Sequence, residues 1–214
     1  MSTARKRTYR NVELIFNRYH EWKDPIRSRL SEFASVRPDE YFYELVYCLL
    51  TPQSSAVNAG KVVEVLKQAG QAGDGKQPVD ILADRLHYIR FHNTKAKRIL
   101  EARGSFPAIL EKLTSGAASH DLRMWLVGNV KGLGWKEASH FLRNIGHRDL
   151  AILDRHILKN LKRHGVIPAI PKTLTARRYL RIEERFQRFA GDIGISLDEL
   201  DLLFWSTETG AILK

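Results

Sequence analysis

Apolar positions recur along this chain every three or four residues, and alternating apolar–polar runs are nearly absent, so helices are expected throughout. Val12, Leu14, Ile15, Phe16 and Tyr19 predict a first helix; Asp24-Pro25 has the form of a cap and first position for a second, ending near Ala34. Pro38 opens a helix rich in aromatics whose apolar run continues to Leu50. Ser54 or Ser55 caps another reaching Ala69, followed by a polar, glycine-containing loop over 71–77. Shorter helices are predicted over 79–86, 94–102, 107–113 and 121–130. Then come 135–145, 155–163, a linker marked by Pro168 and Pro171, 175–189 and 196–205. The pattern predicts an all-α protein without internal repeats.

Between two of these helices stands Val130-Lys131-Gly132-Leu133-Gly134-Trp135-Lys136-Glu137-Ala138. The flanking apolar positions (Met124, Trp125, Leu126 and Val127 before, Ala138, Phe141, Leu142 and Ile145 after) keep helical spacing, so Gly-Leu-Gly predicts a tight hairpin joining two helices. Its glycines permit positive φ and let a phosphate approach the backbone closely. The second helix begins with unpartnered N–H groups that attract an anion. Lys136 falls on the first turn of that helix, and eighteen residues later Asp154 precedes Arg155-His156-Ile157, where a further helix needs a cap. A phosphate grip, an amine and a carboxylate in this order point to chemistry on a nucleotide. The bland alternative is an αα-corner that only packs helices, an exposed lysine and a simple cap.

Charge agrees with a polyanionic partner: 35 Lys and Arg stand against 24 Asp and Glu, a net charge of +11, with a pI near 9.9. Charge alone does not separate a DNA-binding face from an idle basic surface. Cys48, the single cysteine, lies in the apolar run Leu45-Val46-Tyr47-Cys48-Leu49-Leu50 and reads as a buried, reduced core residue. One cysteine excludes an internal disulfide and a four-cysteine iron–sulfur cluster. No apolar run reaches membrane-spanning length, and Met1-Ser2-Thr3-Ala4-Arg5-Lys6-Arg7 lacks an apolar signal core. A soluble, cytoplasmic, monomeric protein without a cofactor is expected, nucleoid-associated if the source is prokaryotic.

Gly132-Leu133-Gly134-Trp135-Lys136 with Ala138, together with Leu153-Asp154-Arg155-His156, resembles the helix-hairpin-helix DNA glycosylases, the superfamily of endonuclease III. The C-terminus Asp201-Leu202-Leu203-Phe204-Trp205-Ser206-Thr207-Glu208-Thr209-Gly210-Ala211-Ile212-Leu213-Lys214 is similar to the archaeal-type (type 2) 8-oxoguanine DNA glycosylases, compact proteins that end in a lysine. The resemblance implies two helical lobes around a DNA-binding cleft. Residues 38–148 would form a helical barrel ending in the hairpin, and 1–37 with 149–214 the other lobe. The implied partner is double-stranded DNA containing oxidised guanine.

The resemblance also implies roles. Lys136 is the nucleophile of a bifunctional glycosylase and lyase. A lysine attacks only as the neutral amine, which a helix N-terminus and partial burial favour. Asp154 is the carboxylate that stabilises the positive charge developing on the sugar. Lys214 reaches the base pocket, where its terminal carboxylate suits the N7–H that 8-oxoguanine has and guanine lacks. Trp205 and Phe91 are candidate walls of a stacking pocket for the flipped base. Leu50-Thr51-Pro52-Gln53-Ser54-Ser55 resembles the segment whose glutamine enters the gap beside the orphaned base, which makes Gln53 the plug. Gly132 and Gly134 grip a phosphate through N–H groups around Gly134 and Lys136, and the carbonyls of Val130 and Gly132 offer a monovalent cation site. His156, Lys95, Lys97 and Arg98 are candidate phosphate contacts, against an ordinary structural histidine and a solvated helix face. Two other readings stay open: a lysine-using glycosylase for oxidised pyrimidines, and a non-catalytic DNA-binding module.

Overall fold

In a computed structural model that describes residues 9–72 and 77–212, the chain is built from helices, and the described residues contain no strand. Ten α-helices follow in order among these residues: α1 Val12–Ala34, α2 Tyr41–Leu50, α3 Ala56–Ala72, α4 Pro78–Ala83, α5 His92–Leu113, α6 Ser119–Asn129, α7 Trp135–Asn144, α8 Arg155–Arg163, α9 Ala176–Ile193 and α10 Leu197–Thr209. Ser55 rather than Ser54 caps α3, its Oγ accepting from the Asn58 N–H. That helix extends past Ala69 into the expected loop. None of the described helices is long and apolar enough to cross a membrane.

Two expected breaks do not occur. The two helices anticipated before Ala34 are one, α1, with Pro25 inside it. Those anticipated at 94–102 and 107–113 are likewise one, α5, with Pro107 inside it. A proline within a helix removes the hydrogen bond to the carbonyl four residues earlier, here Glu21 and Arg103. All four of these residues are exposed, so water can take the orphaned carbonyls. Meanwhile Ile15, Ile26, Leu30 and Phe33 keep a buried stripe along one side of α1, which rewards continuity across Pro25.

The described residues divide into two compact units, one of 9–31 and 149–212 and the other of 32–148. In the first, α8 and α9 both pack on α10. His164, Phe204 and Phe186 stack in sequence, with ring centroids 5.4 and 5.9 Å apart. In the second, α2 is central: every residue from Glu44 to Leu50 is buried, and it packs on α3, α5 and α7. A helix apolar on all sides has to be enclosed on all sides. Its one charged buried residue, Glu44, accepts a hydrogen bond from Asn144 of α7 at 3.1 Å. Cys48 is fully buried, and that burial, reinforced by the charge of Glu44, pushes its thiol well up, so it is an inert core residue.

The acidic start of α10 ties α1 to the first unit. Glu199 accepts from Tyr19 and Arg27, which flank Pro25 in α1, at 2.8 Å each. It also accepts from Ser196 Oγ at 2.7 Å within the α10 capping box. Burial works against the Glu199 carboxylate, but the bonds from Arg27, Ser196 and Tyr19 hold its pKa at about 2. A depressed carboxylate stabilises the fold above its unfolded pKa and loses that contribution as pH falls toward its folded value. Glu199→Gln should therefore destabilise by about 1–2 kcal/mol at pH 7, a figure discounted for the exposed guanidinium. Thermal melts should show the gap between variant and wild type closing between pH 4.5 and pH 2; a pH-independent gap would mean that shape rather than charge matters.

Candidate active site

The hairpin forms where the glycines stand. Gly132 has φ +98, and a Cβ there would lie 2.6 Å from Arg98 Cδ and 3.0 Å from Leu49 Cδ2. Glycine is thus required both by the backbone and by the close packing of α5 and α2 beneath the turn. Leu133 is buried between the two glycines, and its N–H bonds the Val130 carbonyl at 3.2 Å, leaving that oxygen a second lone pair. Gly134 caps α7 in extended conformation, with Lys136 and Glu137 on the first turn.

Glu137 Oε2 accepts the Gly134 N–H at 3.2 Å, and its Oε1 lies 3.1 Å from Lys136 Nζ. One of the N–H groups expected to meet a phosphate is therefore already taken by a neighbouring carboxylate. Lys136 itself is part-buried, its side chain 28% exposed. The two hairpin helices are clamped by Arg123 of α6, which is fully buried. Its guanidinium sits over the Trp135 ring, 5.0 Å from the centroid, and donates to Ser139 at 3.1 Å.

In the first unit, Asp154 caps α8 as its position predicts: Oδ1 accepts from the N–H groups of His156 and Ile157, both at 2.8 Å. Among the described residues Oδ2 takes no hydrogen bond, which leaves half of the carboxylate for other work. The chain that delivers Asp154 is buried from Leu150 to Leu153 and belongs to no helix. With no strand beside it, side chains satisfy its backbone. Ala151 N–H bonds Glu183 at 2.8 Å, Ile152 N–H bonds Asp201 at 3.2 Å, and Leu153 N–H bonds Tyr179 Oη at 3.2 Å. The Tyr179 hydroxyl donates in turn to the Ala151 carbonyl at 2.6 Å.

The other candidates divide between the units. Trp205 is half-buried on α10, and His156 accepts from Arg155 Nε at 3.2 Å on α8, both in the first unit. Gln53 and Phe91 lie in the second unit, both at positive φ, +55 and +61. Phe91 is not a core aromatic: it is 51% exposed, with the Arg90 guanidinium 4.9 Å from its ring centroid. Lys214 lies outside the described residues.

Lys95 overturns the expectation of a solvated or phosphate-binding lysine. Only 2% exposed, its Nζ donates to the carbonyls of Leu50 at 2.6 Å and Pro52 at 2.7 Å and to Ser54 Oγ at 3.1 Å. Burial, with the positive charges of Arg98 and Lys136, lowers its pKa to about 8. Arg123, Glu137, Tyr179, Glu183 and Asp201 were not singled out from the sequence. The available signal was register. Lys95 shares its helical stripe with buried Ile99 and Ala102, and Glu183 falls among buried Tyr179, Ile182 and Phe186. A charged residue at such a position needs a buried partner.

Known proteins share this chain's sequence and fold. A family model described as 8-oxoguanine DNA glycosylase matches residues 26–195. An 8-oxoguanine DNA glycosylase/AP lyase of Fusobacterium nucleatum is 39% identical over 206 residues, 92% of this chain and 94% of that protein. One of Korarchaeum cryptofilum, with the same name, is 42% identical over 193 residues, 90% of this chain and 91% of its own length. The crystal structure of the Methanocaldococcus jannaschii 8-oxoguanine DNA glycosylase superimposes with a TM-score of 0.81 at 34% identity, over 98% of this chain and all of that one. A second structure of that archaeal glycosylase/lyase, in complex with a 15-mer DNA containing 8-oxoguanine, gives 0.80 at 34% identity over 94% of this chain. Matches of this extent make the chain a member of the 8-oxoguanine DNA glycosylase family.

Proposed function

We propose that this protein flips 8-oxoguanine out of double-stranded DNA, removes it, and then cleaves the strand at the abasic site, with Lys136 as nucleophile and Asp154 as the carboxylate that supports it. The observation that carries the assignment is the placement of Lys136 on the first turn of α7, directly after a hairpin whose Gly132 admits no side chain. Neutral Lys136 attacks C1′ of the damaged nucleotide as the base leaves with the bonding electrons, forming an aminal that opens to a Schiff base. The imine acidifies the C2′ proton, and loss of that proton expels the 3′ phosphate by β-elimination. Asp154 stabilises the positive charge that grows on the sugar and orients or deprotonates the amine. Its capping bonds engage Oδ1 and aim the carboxylate rather than consuming it.

The remaining roles follow the same reading. The unit of residues 32–148 is the barrel that carries the hairpin, and the unit of 9–31 with 149–212 is the lobe that carries Asp154. Gly132, Gly134 and His156 meet the phosphate backbone, Glu137 giving up the Gly134 N–H as DNA arrives. The carbonyls of Val130 and Gly132, being neutral oxygens, suit a monovalent cation rather than a divalent one. Trp205 and Phe91 stack on the flipped base, the exposure of Phe91 supporting its part. Lys214 reads the oxidised base, and Gln53 fills the space it leaves. The enzyme acts as a cytoplasmic monomer, and its net positive charge draws it to DNA.

Three outcomes follow. Lys136→Gln should abolish strand cleavage and borohydride trapping of the protein on DNA while duplex binding survives; persisting lyase activity would move the nucleophile elsewhere. Asparagine caps helices as well as aspartate does, so Asp154→Asn keeps α8 intact and isolates the charge. Single-turnover base release should slow by about a hundredfold or more, and a loss under about tenfold, 1.4 kcal/mol, would leave Asp154 only its cap. Deletion of Lys214 should impair excision of 8-oxoguanine more than cleavage at a preformed abasic site, whereas equal losses on the two substrates would assign the terminus to folding.

A further inference from the structure

Lys95 is a buried amine surrounded by two carbonyls and a hydroxyl, with no carboxylate among its partners. Such a charge is costly to enclose, and its partners show what it secures. Leu50 O is the last carbonyl of α2, an end that favours a cation. Pro52 O and Ser54 Oγ belong to the turn that follows, closed by the Ser54 N–H on the Thr51 carbonyl at 3.0 Å. Pro52 and Gln53 are its two central residues, and Gln53 stands at φ +55, the left-handed setting that such turns ordinarily reserve for glycine or asparagine. The peptide joining Pro52 to Gln53 decides that setting: turned over, it returns Gln53 to negative φ and re-aims its side chain. The carbonyl of that peptide is the one that Lys95 grips at 2.7 Å.

We propose that Lys95 is a positioning residue that locks the Pro52–Gln53 peptide and so holds the exposed Gln53 side chain ready to fill the gap left by the flipped base. This rests on the reading of Gln53 as the plug. A pKa of about 8 leaves the amine mostly charged at neutral pH, with a third N–H for its third acceptor. Another bond ties the same turn to the segment before α5: Arg90 N–H donates to Ser54 Oγ at 3.1 Å, while Asn58 at the start of α3 donates to the Tyr88 carbonyl at 3.5 Å. Lys95 is thus the charged centre of a local brace whose exposed product is one glutamine.

The test compares two duplex substrates, one carrying 8-oxoguanine and one a preformed abasic site, which has no base to extrude. Lys95→Met should slow single-turnover excision about tenfold and leave borohydride trapping at the abasic site within about twofold of wild type. Gln53→Ala should slow excision to a similar degree, and the double variant should be no slower than the slower single one, since the two act as a unit. Ser54→Ala, which removes one acceptor and keeps the amine, should show a smaller loss with the same selectivity, and carries the test if Lys95→Met does not fold. Equal losses on both substrates, or additive losses in the double variant, would overturn the proposal by assigning Lys95 to the fold or to Lys136. Normal excision by Gln53→Ala would sink the plug reading itself; slow excision by Gln53→Ala with normal excision by the lysine and serine variants would sink only the positioning claim.

Discussion

A buried backbone segment that has no sheet to join must still satisfy its N–H and C=O groups, and residues 150–153 impose that demand on the unit that carries Asp154. Three side chains meet it, Tyr179 and Glu183 from α9 and Asp201 from α10. Burying two carboxylates is favourable only because each accepts from a fixed donor. The arrangement in turn explains why α9 and α10 carry acidic residues on their inward faces. It delivers Asp154 to the start of α8 with its backbone already determined. The capping bonds to His156 and Ile157 then set the side chain. A rigid approach of this kind suits the role proposed for Asp154, a carboxylate that meets a developing charge without reorganising.

The other unit solves a comparable problem with cations. Arg123 and Lys95 are both buried, and each braces a stretch of chain that presents one of the proposed site residues. Arg123 clamps Trp135 and Ser139 beside the hairpin that carries Lys136. Lys95 holds the turn that carries Gln53. The hairpin and the glutamine turn also share a floor, because Arg98 lies against Gly132 one turn along α5 from Lys95. Positive charge in this unit is therefore used internally as well as toward DNA, and net charge alone overstates how much faces the substrate.

Much of this was legible in the residues. The α8 boundaries, the α7 start and the hairpin itself follow from periodicity, glycine and capping residues, all short-range signals, whereas Thr175 and Ser196, expected as first helical residues, are the caps of α9 and α10. The prolines misled. Pro25 and Pro107 read as helix starts, yet each lies on an exposed face, where a lost backbone bond is replaced by water. Local propensity marks where a helix can break; burial of the opposite stripe decides whether it does.

By itself, the sequence determined the all-helical class and the hairpin between α6 and α7, because each depends on spacing within a few turns of chain. It also carried the family, since relatives 39% and 42% identical match it over 92% and 90% of its length. Only the tertiary structure decided which charged residues are buried and what they hold. Lys95 and Lys97 stand two positions apart on one helix and look alike in the sequence. One is enclosed by carbonyls from a turn more than forty residues earlier and the other is exposed. That difference comes from long-range packing, which brings the end of α2 against the start of α5, and no local pattern encodes it.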